Sequence, residues 1–215
     1  MAAMEDILDL YSRPYDERIP IVNMDEQPFQ RLSHTRELLP LKPGYVERED
    51  YEYERNGTAS IFIFTDAMGK WRKTSVRERR TANDWAEEIK DLLVTDYPAA
   101  EKIILICDNL NTHALASLYK TFPADEARKL AKRLELHFTP KHGSWLNIAE
   151  CELSVLTRQC LKRRIPEIKT LRKEVKKWET ERNRMQKGIS WQFTAENARI
   201  KLDRKSTRLN SSHRT

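Results

Sequence analysis

The stretch Ile103-Ile104-Leu105-Ile106-Cys107-Asp108 is an apolar run that ends on a carboxylate. Five successive apolar residues are typical of a strand in the middle of a sheet that helices cover on both faces. In open α/β sheets, ligands bind where such strands leave the core. The run therefore predicts an α/β fold and makes Asp108 the first candidate functional residue.

A second run, Ile21-Val22-Asn23-Met24-Asp25-Glu26, has the same pattern of a buried strand that ends on acidic side chains. Residues 40–56 contain two prolines and a charged, aromatic run, which indicates a surface excursion or an edge strand. Three more strands are predicted, over Gly57 to Phe64, Lys70 to Glu78 and Leu134 to Thr139.

Helical periodicity separates and follows these strands. Thr81 is predicted to cap a helix that Pro98 stops, and Pro123 interrupts the helical stretch between the last two strands. Helices are predicted over Met4 to Tyr11, Thr81 to Pro98, His113 to Arg133, Trp145 to Leu161, Pro166 to Gln186 and Thr194 to Leu202. This order predicts a mixed five-stranded sheet flanked by helices, with a helical C-terminal extension.

The composition is that of one domain without a membrane span. The chain has 215 residues, 33% of them charged, and a mean hydropathy of −0.75. Its apolar runs are too short to cross a bilayer, and its acidic N-terminus does not resemble a secretory signal. Cys107, Cys151 and Cys160 are too scattered for a disulfide framework or a paired zinc motif, and we expect them to be buried in a protein of a reducing compartment.

The net charge of +6 is unevenly distributed. Residues 1–156 hold 21 Lys and Arg against 27 Asp and Glu, whereas residues 157–208 hold 17 against 6. The acidic body could hold cations and the basic part could hold a polyanion such as nucleic acid. A solvated, charge-rich helix is the alternative interpretation of the basic part.

Glu150 is the third candidate acid, in a predicted helix with an apolar stripe made of Leu146, Ala149, Leu153, Leu156 and Cys160. At about 100° per residue, Glu150 lies on one margin of the stripe and Glu152 on the other, so periodicity does not choose between them. Asp25 and Glu26 likewise point to opposite faces of their strand.

Carboxylates that converge at one sheet edge repel each other unless a cation is bound. Mg²⁺ prefers oxygen ligands, and a pair of such ions can activate a water or hydroxyl and stabilise the leaving oxygen in phosphoryl transfer. Taken singly, each acid is more often a turn or surface residue. Without any family resemblance, the residues therefore support metal-dependent phosphoryl transfer as one hypothesis.

Three segments resemble the motifs of DDE transposases in the Tc/mariner superfamily, in particular the bacterial insertion-sequence branch of the six-thirty type. The first two are Asn23-Met24-Asp25-Glu26 and Asp108-Asn109-Leu110-Asn111-Thr112-His113. The third is Thr139-Pro140-Lys141-His142-Gly143-Ser144-Trp145-Leu146-Asn147-Ile148-Ala149-Glu150. The similarity covers about Met4 to Arg204.

The resemblance implies a ribonuclease H-like fold with Asp25, Asp108 and Glu150 as catalytic acids that hold Mg²⁺ or Mn²⁺, with two ions expected. It favours Asp25 over Glu26 and Glu150 over Glu152. The implied chemistry is nicking at transposon ends, then attack of the freed 3′-hydroxyl on target DNA. The implied partners are DNA and a second copy of the chain in a homodimer. The implied location is the bacterial cytoplasm, on the nucleoid and not at a membrane.

Two features depart from the family pattern. Forty-one residues separate Asp108 from Glu150, and the predicted helix from Pro123 to Arg133 is an insertion that accounts for this long spacing. Family members carry helix-turn-helix modules ahead of the catalytic domain, whereas only about twenty residues precede Asp25. We therefore expect a linker remnant over residues 1–19 and a catalytic domain over residues 20–204, without sequence-specific end recognition. Residues 205–215 resemble a cloning or sequencing scar and are expected to be a disordered, non-native tail.

Several further residues are candidates for contact with DNA. They are His113, Lys141, His142 and Trp145 near the acids, and Lys162, Arg163, Arg164, Arg172, Lys173, Lys176 and Lys177 on the basic helices. Each has a structural alternative, such as a turn cap for the histidines and a core anchor for Trp145.

Two other functions stay open at this level. One is a ribonuclease H-like nuclease with another substrate, because a fold does not determine the substrate. The other is an inactive remnant that only binds DNA or a protein. All three acids are present, which argues against decay of the active site.

Overall fold

A computed structural model describes residues 2–35, 52–141, 143–186, 188, 191 and 193–200. The strands are β1 (Ile21–His34), β2 (Tyr53–Asp66), β3 (Trp71–Arg77), β4 (Ile103–Cys107) and β5 (Leu134–Phe138). The helices are α1 (Ala2–Tyr11), α2 (Ala82–Asp91), α3 (Leu115–Thr121), α4 (Ala124–Lys132), α5 (Ile148–Leu156) and α6 (Ile168–Arg184). Residues 195–200 are also helical.

The five strands form one mixed sheet in the order β3-β2-β1-β4-β5. The first three strands along the chain pair in antiparallel fashion, and β4 and β5 then add in parallel to β1. This arrangement confirms the predicted five-stranded α/β sheet flanked by helices. It also confirms the apolar run over residues 103–107, all five of which are buried inside the sheet.

Helices cover both faces of the sheet. On one face, Val22 and Met24 of β1 pack with Trp85 and Ile89 of α2. On the other face, side chains of β2 pack against α5 and α6, and residues of β4 pack against α1. Since side chains alternate along a strand, even-numbered residues of β1 face α2 and odd-numbered residues face the side of α1 and α5.

Local chemistry explains where the helices begin and break. Thr81 caps α2 as predicted: its Oγ1 accepts from the Asp84 N–H, while the Asp84 side chain accepts from the Thr81 N–H. Pro123 separates α3 from α4, and α4 coincides with the helix that was predicted from Pro123 to Arg133, between β4 and β5.

Several boundaries differ from the prediction. Strand β1 continues beyond Glu26 to His34, because its second half pairs with β2, whose side chains contribute the buried apolar face. Residues 40–51 of the predicted excursion lie outside the described residues. Its last part differs from the prediction, since β2 already begins at Tyr53. The helix predicted from Trp145 is divided into a 3-10 turn (Ser144–Leu146), α5 and a π-helical turn (Thr157–Leu161).

The cysteines are all free thiols, and Cys107 and Cys160 are buried as expected. Cys151 is exposed, contrary to the prediction, because it lies on the solvent side of α5. None of the described helices is long and apolar enough to cross a membrane.

Candidate active site

Asp25 lies in β1, and Asp108 directly follows the neighbouring parallel strand β4. The ladder between β1 and β4 pairs Ile21 with Ile104 and Asn23 with Ile106. The same register continued by two residues sets Asp25 opposite Asp108, on strands about 4.8 Å apart. Asp25 has the parity of residues that face α1 and α5, whereas Asp108 follows the last residue of β4 and has its Oδ1 2.6 Å from Nδ1 of His113.

The first turn of α5 is fixed beside this pair of residues. Asn147 is the N-cap, and its Oδ1 accepts from the Ala149 N–H at 3.1 Å. Its Nδ2 donates to the backbone carbonyl of Met24 at 2.8 Å, one residue before Asp25. Glu150 follows in the first helical turn, where the positive end of the helix dipole favours a carboxylate.

The electrostatics of Asp25 reflect this convergence. Burial raises the pKa of Asp25 to about 7, and the negative charges of Asp108, Glu150 and Glu26 raise it as well. A hydrogen bond from the Glu26 N–H, at 2.8 Å, acts in the opposite direction. Asp108 and Glu150 therefore each lie within electrostatic range of Asp25, and a cation would relieve this repulsion.

Glu152, the alternative to Glu150, is engaged elsewhere. Its side chain is 1% exposed, and its Oε1 accepts from Arg72 at 2.9 Å and from Arg182 at 3.1 Å. Burial acts to raise its pKa, but these two arginines outweigh burial, and the pKa of Glu152 is lowered. Glu150 is therefore the acid of α5 that is free to serve the sheet edge.

Glu26, the alternative to Asp25, lies on the other face of β1 and contacts His113. The Nε2 atom of His113 is 2.9 Å from Glu26 Oε2, and its Nδ1 atom is 2.6 Å from Asp108 Oδ1. Burial opposes protonation of His113, but hydrogen bonds to Asp108, Cys107 and Glu26 raise its pKa to about 12. The interpretation of His113 as a DNA contact is not supported by this position, since its side chain is only 1% exposed.

Sequence reasoning placed His113 near the acids but missed its link to Glu26. The signal was limited, because the five-residue spacing from Asp108 does not reveal that the ring reaches across to β1. Among the described residues, Glu26, Asp108 and His113 each bring one possible ligand atom within 4.8 Å of the others. Of the three predicted acids, only Asp108 belongs to this cluster, and among the described residues Asp25 and Glu150 do not bring ligand atoms within the same 4.8 Å.

The candidate DNA contacts near the acids differ in their exposure and in their contacts. Lys141 is exposed, and His142 lies outside the described residues. Trp145 is 47% exposed in the 3-10 turn before α5. Its ring stacks on Trp191 at a centroid distance of 6.3 Å and meets Phe193 edge-on at 5.4 Å.

The basic residues of the helices fall into two groups. Several already have intramolecular partners: Arg163 pairs with Glu174, Arg164 donates to the Glu52 carbonyl, Arg172 donates to the Val76 carbonyl, and Lys176 pairs with Glu179. Lys162, Lys173 and Lys177 are exposed, and no acidic group in the described part of the chain lies within ion-pair distance of them. These three lysines are the cations most available to a polyanion.

The sequence matches the family model described as DDE superfamily endonuclease over residues 20–172. No curated protein sequence is similar enough to the chain to count as a match.

Among solved structures, the Mos1 mariner paired end complex with Mn is 16% identical, with a TM-score of 0.54 over 83% of this chain and 53% of that one. The Mos1 strand transfer complex is 16% identical, with a TM-score of 0.56 over 83% of this chain and 52% of that one. The mariner Mos1 paired end complex with Mg is 16% identical, with a TM-score of 0.54 over 89% and 62%. The sheet and its helices therefore have the ribonuclease H-like fold of these structures, and the chain spans 52 to 62% of their length.

Proposed function

Because the chain belongs to the DDE superfamily endonuclease family, we propose that it is a transposase catalytic domain that cleaves DNA at transposon ends and joins them to target DNA. One observation carries the proposal. Asp25 lies in β1 and Asp108 directly follows the neighbouring parallel strand β4, the Asn147 contact with Met24 holds the first turn of α5 beside Asp25, and the charges of Asp108 and Glu150 both act on Asp25.

The residues suit a hard divalent cation. Asp25, Asp108 and Glu150 offer carboxylate oxygens, the ligands that Mg²⁺ and Mn²⁺ prefer, and the pKa of Asp25 is raised first by burial and then by the negative charges of Asp108, Glu150 and Glu26. We assign all three as the residues that would hold two such ions. When bound, the metal would supply activation of a water or 3′-hydroxyl and stabilisation of the leaving oxygen. The similar Mos1 complexes are described with Mn and with Mg.

DNA would approach along the exposed side of this edge. Lys141, His142 and Trp145 precede Glu150 in the chain and are the proposed contacts close to the scissile phosphate. The proposed contacts with the phosphate backbone farther away are Lys162, Arg163, Arg164, Arg172, Lys173, Lys176 and Lys177. Of these, the lysines at 162, 173 and 177 are expected to contribute most.

The finer assignments belong to the same proposal. We place the chain in the six-thirty insertion-sequence branch, as the catalytic part (residues 20–204) of a bacterial cytoplasmic transposase that acts on nucleoid DNA as a homodimer. The share of the Mos1 chains that it spans, 52 to 62%, supports a catalytic part of a longer protein. Residues 205–215, proposed to be a non-native tail, lie outside the described residues.

The test is nicking of supercoiled plasmid DNA by the full chain in Mn²⁺, compared with the Asp108→Asn variant. We expect wild-type nicking that chelation abolishes and that Asp108→Asn lowers at least about 100-fold, since even outer-shell partners of metal ligands are worth 10–100-fold. Asp125→Asn, at an exposed position of α4, is the matched control and should cleave as wild type does.

Nicking that survives Asp108→Asn would contradict the proposal. Preferential cleavage of an RNA–DNA hybrid would favour a ribonuclease over a transposase. DNA binding without metal-dependent cleavage would favour an inactive remnant.

A further inference from the structure

Tyr11, the last residue of α1, connects two segments that each lead into a predicted acid. Its hydroxyl oxygen is 2.5 Å from Oδ1 of Asn23 in β1 and 2.6 Å from the carbonyl oxygen of Leu146 in the 3-10 turn before α5. Asn23 lies two residues before Asp25, and Leu146 lies four residues before Glu150. The hydroxyl therefore bridges the two stretches of backbone that carry these carboxylates.

A second contact lies next to this bridge. The side chain of Asn147 donates to the Met24 carbonyl at 2.8 Å, so residues 23–24 and 146–147 are connected at two adjacent points. One contact alone would let the two segments pivot, whereas two neighbouring contacts also fix the angle between them. Because Asn147 is the N-cap of α5, this angle sets the direction in which the helix leaves β1.

The ring of Tyr11 is itself held in place. The residue is 8% exposed and belongs to the buried cluster that joins α1 to β4 and to the 3-10 turn. Trp191 packs against its ring, with centroids 5.0 Å apart and planes inclined by 49°. The hydroxyl therefore has a fixed position relative to β1 and to the segment before α5.

The hydrogen bonds of the hydroxyl can be assigned from its chemistry. Burial raises the pKa of Tyr11 above its usual value, so the hydroxyl stays protonated. Its single hydrogen suits the Leu146 carbonyl, which can only accept, and the Asn23 amide can donate to the hydroxyl oxygen when its Nδ2 faces that atom. Loss of the hydroxyl would take this partner from two buried polar groups at once.

We propose that Tyr11 is a positioning residue, whose hydroxyl fixes the segment before Glu150 against the segment before Asp25 and so sets the spacing across which these acids bind a metal ion. The role extends the catalytic unit to α1, which lies in the stretch predicted to be a linker remnant. It rests on the proposed function, because it takes Asp25 and Glu150 as metal ligands.

Tyr11→Phe tests this role, because it removes the hydroxyl and keeps the ring beside Trp191. The first measurement is the Mn²⁺ affinity of the DNA-free full chain by titration calorimetry, which should fall about 10–100-fold, as it does when outer-shell partners of metal ligands are lost. The second is plasmid nicking at saturating Mn²⁺. There kcat should fall by up to about 100-fold, since small misplacements of reacting groups have effects of that size. KM for DNA should not change, because Tyr11 is buried.

The matched control is Tyr97→Phe. The hydroxyl of Tyr97 is also partly buried and donates to a side chain, Asp66 at 3.2 Å, but at the far end of β2. Its loss should leave Mn²⁺ affinity and kcat unchanged, and thermal unfolding of both variants measures their effects on stability.

Asn23→Ala is the second test, because it removes the partner in β1 and leaves Tyr11 intact. It should weaken Mn²⁺ binding in the same direction, and it decides the question if Tyr11→Phe does not fold.

Wild-type Mn²⁺ affinity and kcat in folded Tyr11→Phe, or unchanged affinity in Asn23→Ala, would overturn the positioning role and leave the proposed function intact. A change in KM alone would overturn it as well, since it would indicate a DNA contact. Equal losses in Tyr97→Phe would trace the effect to stability, with the same consequence. Wild-type protein that neither binds Mn²⁺ nor nicks DNA would overturn the proposed metal site and this inference together.

Discussion

Arg72 and Glu152 form an ion pair at 2.9 Å between side chains that are 0% and 1% exposed. The pair joins β3 to α5, and Arg182 brings α6 to the same carboxylate. Asn183 strengthens the junction, since its side chain exchanges hydrogen bonds with the backbone of Arg72 at 2.9 and 2.7 Å. The helix that carries Glu150 is therefore anchored through Glu152 to β3 and to α6.

Glu152→Gln should destabilise the fold, because it leaves the buried Arg72 and the partly buried Arg182 without their shared negative charge. We expect a loss of about 3–5 kcal/mol in the free energy of unfolding, measured by urea denaturation. Glu150→Gln is the matched comparison two residues away. It should change stability by less than about 1 kcal/mol and abolish Mn²⁺-dependent nicking.

The reverse result, in which Glu152→Gln is stable but inactive and Glu150→Gln is unstable but active, would exchange the roles of the two acids. If both variants lost stability and nicking together, the structural role of Glu152 and the catalytic role of Glu150 could not be separated.

The two glutamates show where sequence reasoning reaches its limit. Helical periodicity places Glu150 and Glu152 at equal distances from the apolar stripe, and only the resemblance to a family favours Glu150. The physical distinction is Arg72, eighty residues earlier on β3, which no local pattern connects to α5. By contrast, the buried strand before Asp108 and the Thr81 cap were predictable, because each depends on neighbours in the chain.

The length of β1 and its pairing with β2 also could not be predicted from the local sequence pattern. The stretch after Glu26 contains Pro28 and polar residues, which do not predict a strand, yet backbone pairing with β2 extends it to His34. The same pairing fixes which face each residue of β1 presents. It thereby puts Asp25 towards α5 and Glu26 towards His113, a distinction that alternation alone leaves open.

His137 predicts a pH-dependent contribution to stability. Burial acts to lower its pKa, but hydrogen bonds to Asp6 of α1 and to Glu135 of β5 outweigh burial, and the pKa is raised. Lys102 also forms an ion pair with Glu135, at 3.0 Å. A histidine with a raised folded-state pKa stabilises fully below its unfolded pKa of about 6.5, and this stabilisation is lost as the pH rises through the folded value.

We therefore expect His137→Gln to lower the free energy of unfolding by on the order of 1 kcal/mol at about pH 5.5, and by clearly less at about pH 9. Urea denaturation at the two pH values measures the difference. Asp6→Asn should show the same trend, since it removes one of the two partners. A deficit that is constant with pH, or larger at alkaline pH, would show that packing and not charge explains the effect.

Substitution of Trp145 is expected to lower DNA affinity without lowering the stability of the fold. Its ring is 47% exposed beside Trp191, and it lies five residues before Glu150. Stacking of a base on an aromatic side chain is worth about 1–3 kcal/mol, so Trp145→Ala should weaken binding of single-stranded or nicked DNA about 5- to 150-fold in a fluorescence anisotropy titration. Tyr119→Ala, which removes a ring that is 49% exposed on α3, should bind as wild type does. Equal losses in the two variants would count against a specific stacking site.

Lys162, Lys173 and Lys177 predict how DNA binding depends on salt. Lys162 and Lys177 line a groove of about 610 Å³ between α6 and the residues around the π-helical turn that follows α5. Within the described structure, none of the three lysines has an acidic partner. Each lysine that neutralises a phosphate releases condensed counterions, so each substitution by Ala should reduce the slope of log affinity against log salt by about 0.9.

Arg172→Ala should behave differently, since its Nε donates to the Val76 carbonyl at 3.0 Å and it therefore serves the edge strand β3 as well. It should lower stability, with a smaller effect on the slope than the lysines have. Lys129→Ala on α4 is the control for an exposed lysine away from the proposed surface and should leave the slope unchanged. If all four lysine variants reduced the slope equally, DNA would be held by net charge and not by this groove. A salt-independent affinity in the wild type would remove the basic helices from the DNA interface altogether.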